Sequence, residues 1–164
     1  VMRFIGRSPV DGINYSSVAR NVGITKYKAA QYLDLLERSF LLKLVFPEGS
    51  NVLKEPKVLM QLPYRLLYRD YAECIGALRE DYFVLAMEQH SQSYAYAKTT
   101  RGGKTPDYFM RLGDQAVVVE IGGRGKGRSQ FKGVEYDRKI VLYHGGPSDM
   151  TPGERVPLWA VGFA

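Results

Sequence analysis

Cysteine and histidine are nearly missing from this chain, which has 164 residues but only Cys74, His90 and His144 of these types. An intrachain disulfide is excluded, and a Cys/His zinc centre lacks its ligands. Long apolar runs are missing too. No stretch approaches the roughly 18 residues that a membrane span needs, and Val1-Met2-Arg3 lacks the apolar region of a secretory signal. The expectation is a soluble, cytoplasmic chain with no membrane partner, and Val1 ahead of Met2 is what a fragment of a longer protein would show. What is present is ordinary globular composition, 45% hydrophobic and 24% charged. Folding a chain of this size removes roughly 70% of the unfolded surface from water.

Lys and Arg number 23 against 17 Asp and Glu, a net charge of +6. Residues 1–60 hold 9 basic and 5 acidic groups, and residues 61–164 hold 14 and 12, so the first part is the more basic. Between Gly122 and Lys132 the residues Arg124, Lys126, Arg128 and Lys132 occur with no acid among them. Backbone N–H groups and cations in such a Gly-rich loop suit phosphates, and they equally suit an ordinary solvated turn. The pattern changes near Pro56 to Pro63, from helix-rich sequence to one long helical segment followed by alternating strands. Two domains are expected, residues 1–60 and residues 61–164.

In the first domain, Ser16 or Ser17 is placed to cap a short helix over Val18 to Asn21, Val22-Gly23-Ile24 to turn, and Thr25 to cap a helix running to about Phe40. Ala29, Leu33, Leu36 and Phe40 form one apolar stripe, on which Val18, Val22 and Ile24 can pack. Lys26, Tyr27 and Lys28 then face outward from the start of the second helix, where a recognition helix meets DNA. Leu41 to Phe46, a turn from Pro47 to Asn51, and Val52 onward read as a hairpin. The segment Ser17-Val18-Ala19-Arg20-Asn21-Val22-Gly23-Ile24-Thr25 resembles the helix, glycine turn and capped helix of winged-helix domains. Such domains read DNA and also serve as protein contacts.

In the second domain, Ala77, Glu80, Val84 and Met87 share one helical stripe, so Glu80 sits among apolar neighbours. Two strands follow, Thr105 to Leu112 and Gln115 to Ile121, joined by Gly113-Asp114 in a two-residue type II′ loop. Leu112 then faces Gln115, and counting back along both strands puts Asp107 opposite Glu120. Directly opposed side chains share a face with Cβ atoms about 4.5–5.5 Å apart, where two like charges need compensation. A divalent cation such as Mg²⁺ supplies it, and so does a nearby Lys or Arg.

Pro106-Asp107, Glu120-Ile121-Gly122 after an apolar strand, and the helical Glu80 together resemble the PD-(D/E)XK restriction-endonuclease-like fold. The resemblance implies that Asp107 and Glu120 bind Mg²⁺, that Glu80 assists, and that a lysine two residues after the second acid positions the attacking water. Gly122 stands at that lysine position and supplies neither charge nor donor; Lys126 is the displaced candidate. The order of parts, from the winged helix through Arg79-Glu80-Asp81-Tyr82-Phe83-Val84 to the stretch Glu120 to Gly133, is similar over nearly the whole chain to the C-terminal region of predicted prokaryotic AAA-superfamily ATPases.

The fold class expected is therefore α/β (α+β): a winged helix-turn-helix followed by a small α/β/α nuclease-like domain with a mixed sheet. The function that the resemblance implies is an accessory region of an ATPase, binding DNA, with a degenerate nuclease-like site. The alternatives are an active Mg²⁺-dependent DNA endonuclease using Asp107, Glu120, Glu80 and Lys126, and a protein-contact module regulating the ATPase. DNA contacts are expected from Lys26, Tyr27, Lys28, Arg124, Lys126, Arg128 and Lys132. ATP would be bound only by an upstream domain. Within this chain, Lys98 replaces the first glycine of a Walker A loop in Lys98 to Thr105, and Arg128 replaces the third glycine of a dinucleotide fingerprint.

Overall fold

The computed structural model describes residues 1–48, 55–97, 105–122, 136–147, 150–151 and 154–163. The architecture is mixed α+β, and the chain divides into two compact units, Val1–Leu85 and Ala86–Ala164. Among the described residues no helix is long and apolar enough to cross a membrane.

The first unit begins with α1 (Met2–Arg7), α2 (Tyr15–Val22) and α3 (Lys26–Arg38). Helix α2 starts earlier than Ser16 or Ser17 would allow, because Asn14 is its cap. Asn14 Oδ1 accepts the Ser17 N–H at 2.9 Å, and Ser17 Oγ accepts the Asn14 N–H at 2.8 Å, a reciprocal capping box. Gly23 ends α2 with φ +72°, a left-handed conformation that costs glycine little. Thr25 caps α3 by accepting the Lys28 N–H, as expected. Helix α3 stops at Arg38 rather than at Phe40. With φ +57°, Phe40 leaves the helical path, so its ring lies off the apolar stripe and is 79% exposed. Val22 is also exposed, whereas Val18, Ala29 and Leu33 are buried.

Strands β1 (Leu42–Val45) and β2 (Lys57–Met60) pair antiparallel, with Leu42 opposite Met60 and Val45 opposite Lys57. The Val58 N–H donates to the Ile13 carbonyl at 3.0 Å, so the segment ahead of α2 borders the hairpin. Ile5, Ile13, Val18, Leu33, Leu42 and Val58 belong to the core of this unit. The unit continues beyond Met60 through a 3₁₀ turn (Tyr64–Leu67) into α4 (Tyr71–Gln89), so the division falls inside α4 and not at the expected seam near residue 60. A buried ion pair accounts for this. Arg65 Nε donates to Asp81 Oδ2 at 2.6 Å and Nη2 to Oδ1 at 3.0 Å, while Nη1 donates to the Ile5 carbonyl and the Met60 N–H donates to Asp81 Oδ1. One fully buried cluster thus fastens α1, β2, the 3₁₀ turn and α4.

The second unit holds a five-stranded sheet in the order β3 (Tyr94–Tyr96), β4 (Tyr108–Leu112), β5 (Gln115–Gly122), β6 (Arg138–Tyr143) and β7 (Arg155–Pro157). The first three strands run antiparallel, and β5, β6 and β7 run parallel. Gly113 has φ +59° while Asp114 keeps a negative φ, as a type II′ loop requires. Leu112 pairs with Gln115 and Tyr108 with Val119, the expected register. Strand β4 begins at Tyr108, not Thr105, since Pro106 has no N–H to give a ladder. Val117 to Gly122 are continuously buried on the central strand, as a strand paired on both edges requires.

Candidate functional site

The described residues expected at a site fall in both units. In the first, α2, the Gly23 turn and α3 present the start of α3 to solvent: Lys26, Tyr27 and Lys28 are all exposed, Tyr27 by 72%. The Tyr27 hydroxyl accepts from Gln31 Nε2 at 3.1 Å, one turn along the helix. Lys28 forms no ion pair among the described residues, and neither does Arg20, exposed in the last turn of α2. Arg20 was not among the expected contacts. Its signal was its place beside the turn, next to the buried pair Val18 and Ala19.

Lys26 is engaged. Its Nζ lies 2.5 Å from Oε1 of Glu55, which also accepts from Ser16 Oγ at 2.5 Å, while Glu55 Oε2 accepts the Ser16 N–H at 2.8 Å. Burial works against ionisation of Glu55, but the hydrogen bonds from Lys26 and Ser16 outweigh it and hold the carboxyl below its ordinary value. Farther along α3, Asp34 binds Arg38, which removes a second cation from the outward face. Arg124, Lys126, Arg128 and Lys132 lie outside the described residues.

In the second unit, Asp107 and Glu120 stand one step beyond the Tyr108–Val119 pair, at the start of β4 and near the end of β5. Asp107 Oδ2 accepts the Ile121 N–H at 2.7 Å, and the Ala97 N–H donates to the Asp107 carbonyl at 3.3 Å. The side chain therefore continues the ladder to β5 where the strand itself has ended, and the backbone continues the ladder to β3. Glu120 is 1% exposed and pairs across β6 with Val141. Comparison with protein-family models, curated proteins and solved structures finds no match. The chemistry rests on the residues themselves.

Two carboxylates are a donor set that Mg²⁺ accepts. Here one oxygen of Asp107 already serves Ile121, and among the described residues no group of three or more His, Cys, Asp or Glu gathers to hold a metal ion. Gly122 ends β5 opposite Tyr143 and brings no side chain to the pair. Glu80 belongs to the first unit, where Lys57 Nζ donates to its Oε2 at 2.5 Å and to Asp11 Oδ1 at 3.1 Å. It ties α4 to β2. The buried acid of α4 that sequence reasoning missed is Asp81. Cys74, Ala77 and Val84 share its helical stripe, and a carboxylate on that stripe demands a buried cation, which Arg65 supplies.

Proposed function

We propose that this chain is the accessory C-terminal region of a AAA-superfamily ATPase, binding duplex DNA through its first unit and carrying a nuclease-like second unit whose catalytic centre is degenerate. The observation that carries the DNA-binding reading is the start of α3. Lys28 and Tyr27 project into solvent beside Arg20, across a tight Gly23 turn, from a helix pair backed by the β1–β2 hairpin. A winged helix uses such a placement to set a recognition helix in the major groove. The degenerate reading of the second unit is supported by Asp107 serving Ile121 and by glycine at position 122.

The test is binding of a fluorescent duplex by the purified chain, followed by anisotropy over a salt series with and without Mg²⁺. The expected result is affinity that falls steeply with salt and no nicking of supercoiled DNA. Absence of binding at about 50 mM salt overturns the DNA-binding reading, since electrostatic contacts are strongest there. The β4–β5 register ends at Tyr108–Val119 with Asp107 and Glu120 next along each chain, which favours the endonuclease as second reading; Mg²⁺-dependent nicking that Glu120→Ala abolishes would establish it. Leu35, 61% exposed on α3, and Phe40 favour a protein-contact module, for which tight association with the ATPase domain in the absence of DNA binding is the signature.

A further inference from the structure

The contact between Glu55 and Lys26 joins three donors from two helices on one carboxylate. Ser16 gives its N–H and its hydroxyl from the first turn of α2, and Lys26 gives its ammonium from the first residue of α3. A backbone N–H at a helix start, a hydroxyl and a lysine are the donors with which proteins hold nucleic-acid phosphates. Ser16 lies one helical turn ahead of the exposed Arg20 on α2, and Lys26 directly precedes the exposed Tyr27 and Lys28 on α3. An anion of this chain's own is already seated there, most of it shielded from solvent: the Glu55 side chain is 15% exposed against 57% for Lys26.

We propose that Glu55 is an intramolecular phosphate mimic, which occupies the donors of Ser16 and Lys26 and so holds down the affinity of the helix-turn-helix face for nucleic acid. The inference rests on the DNA-binding reading above and deepens it. A backbone phosphate that docks at this point displaces the carboxylate and inherits the same three donors. The displacement exchanges one anion for another, so Lys26 contributes little net attraction until Glu55 is removed. Low affinity is then a built-in property of this interface, and a partner that draws Glu55 away raises it.

The experiment compares the wild-type chain with Glu55→Gln on one fluorescent duplex over a salt series. Glutamine keeps an acceptor for the Ser16 N–H while removing the charge from Lys26. Glu55→Gln is expected to bind about five- to tenfold more tightly near 0.1 M salt, with a salt slope steeper by about one phosphate contact. Adding Lys26→Met to Glu55→Gln is expected to erase that gain. Wild-type and variant curves that coincide, in a variant with wild-type circular dichroism, overturn the inference while leaving DNA binding in place; no binding by either chain removes the parent reading and this inference with it. A second measurement needs no variant. In the wild-type chain, duplex DNA is expected to shift the Ser16 amide and Glu55 carboxyl resonances in step with the Lys28 amide, and silence at Ser16 and Glu55 while Lys28 responds overturns the mimicry.

Discussion

The Asp107 carboxylate accepts the Ile121 N–H at 2.7 Å, so the acid ahead of β4 acts as a backbone acceptor for β5. Ile121 is buried, and its N–H has no water to turn to if that oxygen is lost. Asp107→Ala is expected to cost about 1–3 kcal/mol, the usual penalty of an orphaned buried donor. Asp107→Asn keeps a carbonyl oxygen and is expected to cost less. Urea unfolding of both variants checks the order.

Arg65 and Asp81 form the other decisive pair. Removing one partner leaves a charge with no water and no counterion, so Arg65→Met and Asp81→Ala are each expected to destabilise by about 3–5 kcal/mol. Burial raises the Asp81 carboxyl above its ordinary value, against the opposing pull of Arg65 and the Met60 N–H. Replacing both residues with apolar side chains is expected to recover most of the loss, because the desolvation penalty disappears with the charges. A double-mutant cycle by chemical denaturation measures the coupling.

Acid stability carries the signature of Glu55. Its carboxyl lies below the reference value of 4.5 in the folded chain, so near that pH the unfolded state binds more protons. The stabilisation is full above about pH 4.5 and is lost as pH falls through the lower folded value. Glu55→Gln is expected to flatten this acid limb and to lower stability at neutral pH. Denaturation midpoints between acid and neutral pH, wild type against variant, read both effects.

At Gly23 a Cβ would meet nothing within 4 Å, yet φ is +72°. Gly23→Ala is therefore a pure backbone test. The left-handed conformation is expected to cost alanine about 1–2 kcal/mol, seen as a lower melting temperature without loss of helix content in the native baseline.

For the proposed DNA interface, Arg20→Ala and Lys28→Ala are each expected to weaken binding and to reduce the salt slope by about one if each cation meets one phosphate. Binding that keeps the wild-type slope in both variants would place the interface elsewhere on the chain.

The α2–Gly23–α3 segment and the β4–β5 hairpin were legible because their signals are short-range. Thr25 before a periodic helix, glycine at a left-handed turn, and Gly113-Asp114 between alternating strands each constrain only a few neighbouring dihedrals. Even there, Asn14 displaced Ser16 and Ser17 as the cap of α2, since an asparagine with serine three residues on closes a reciprocal box. Periodicity alone puts Phe40 on the apolar stripe, but the helix ends before the period reaches it.

The partners of the charged side chains were not legible. Glu55 meets Ser16 across 39 residues, Asp81 meets Arg65 across 16, and Lys57 meets Glu80 across 23. The sequence by itself determined where the chain bends, that Val18, Ala29 and Leu33 face the core, and the β4–β5 register from Leu112–Gln115 to Tyr108–Val119. Only the tertiary structure decided which donor each carboxylate serves. A turn is a property of local torsions, whereas a buried charge accepts whatever opposite charge chain closure brings within about 3 Å, and that choice depends on the whole fold.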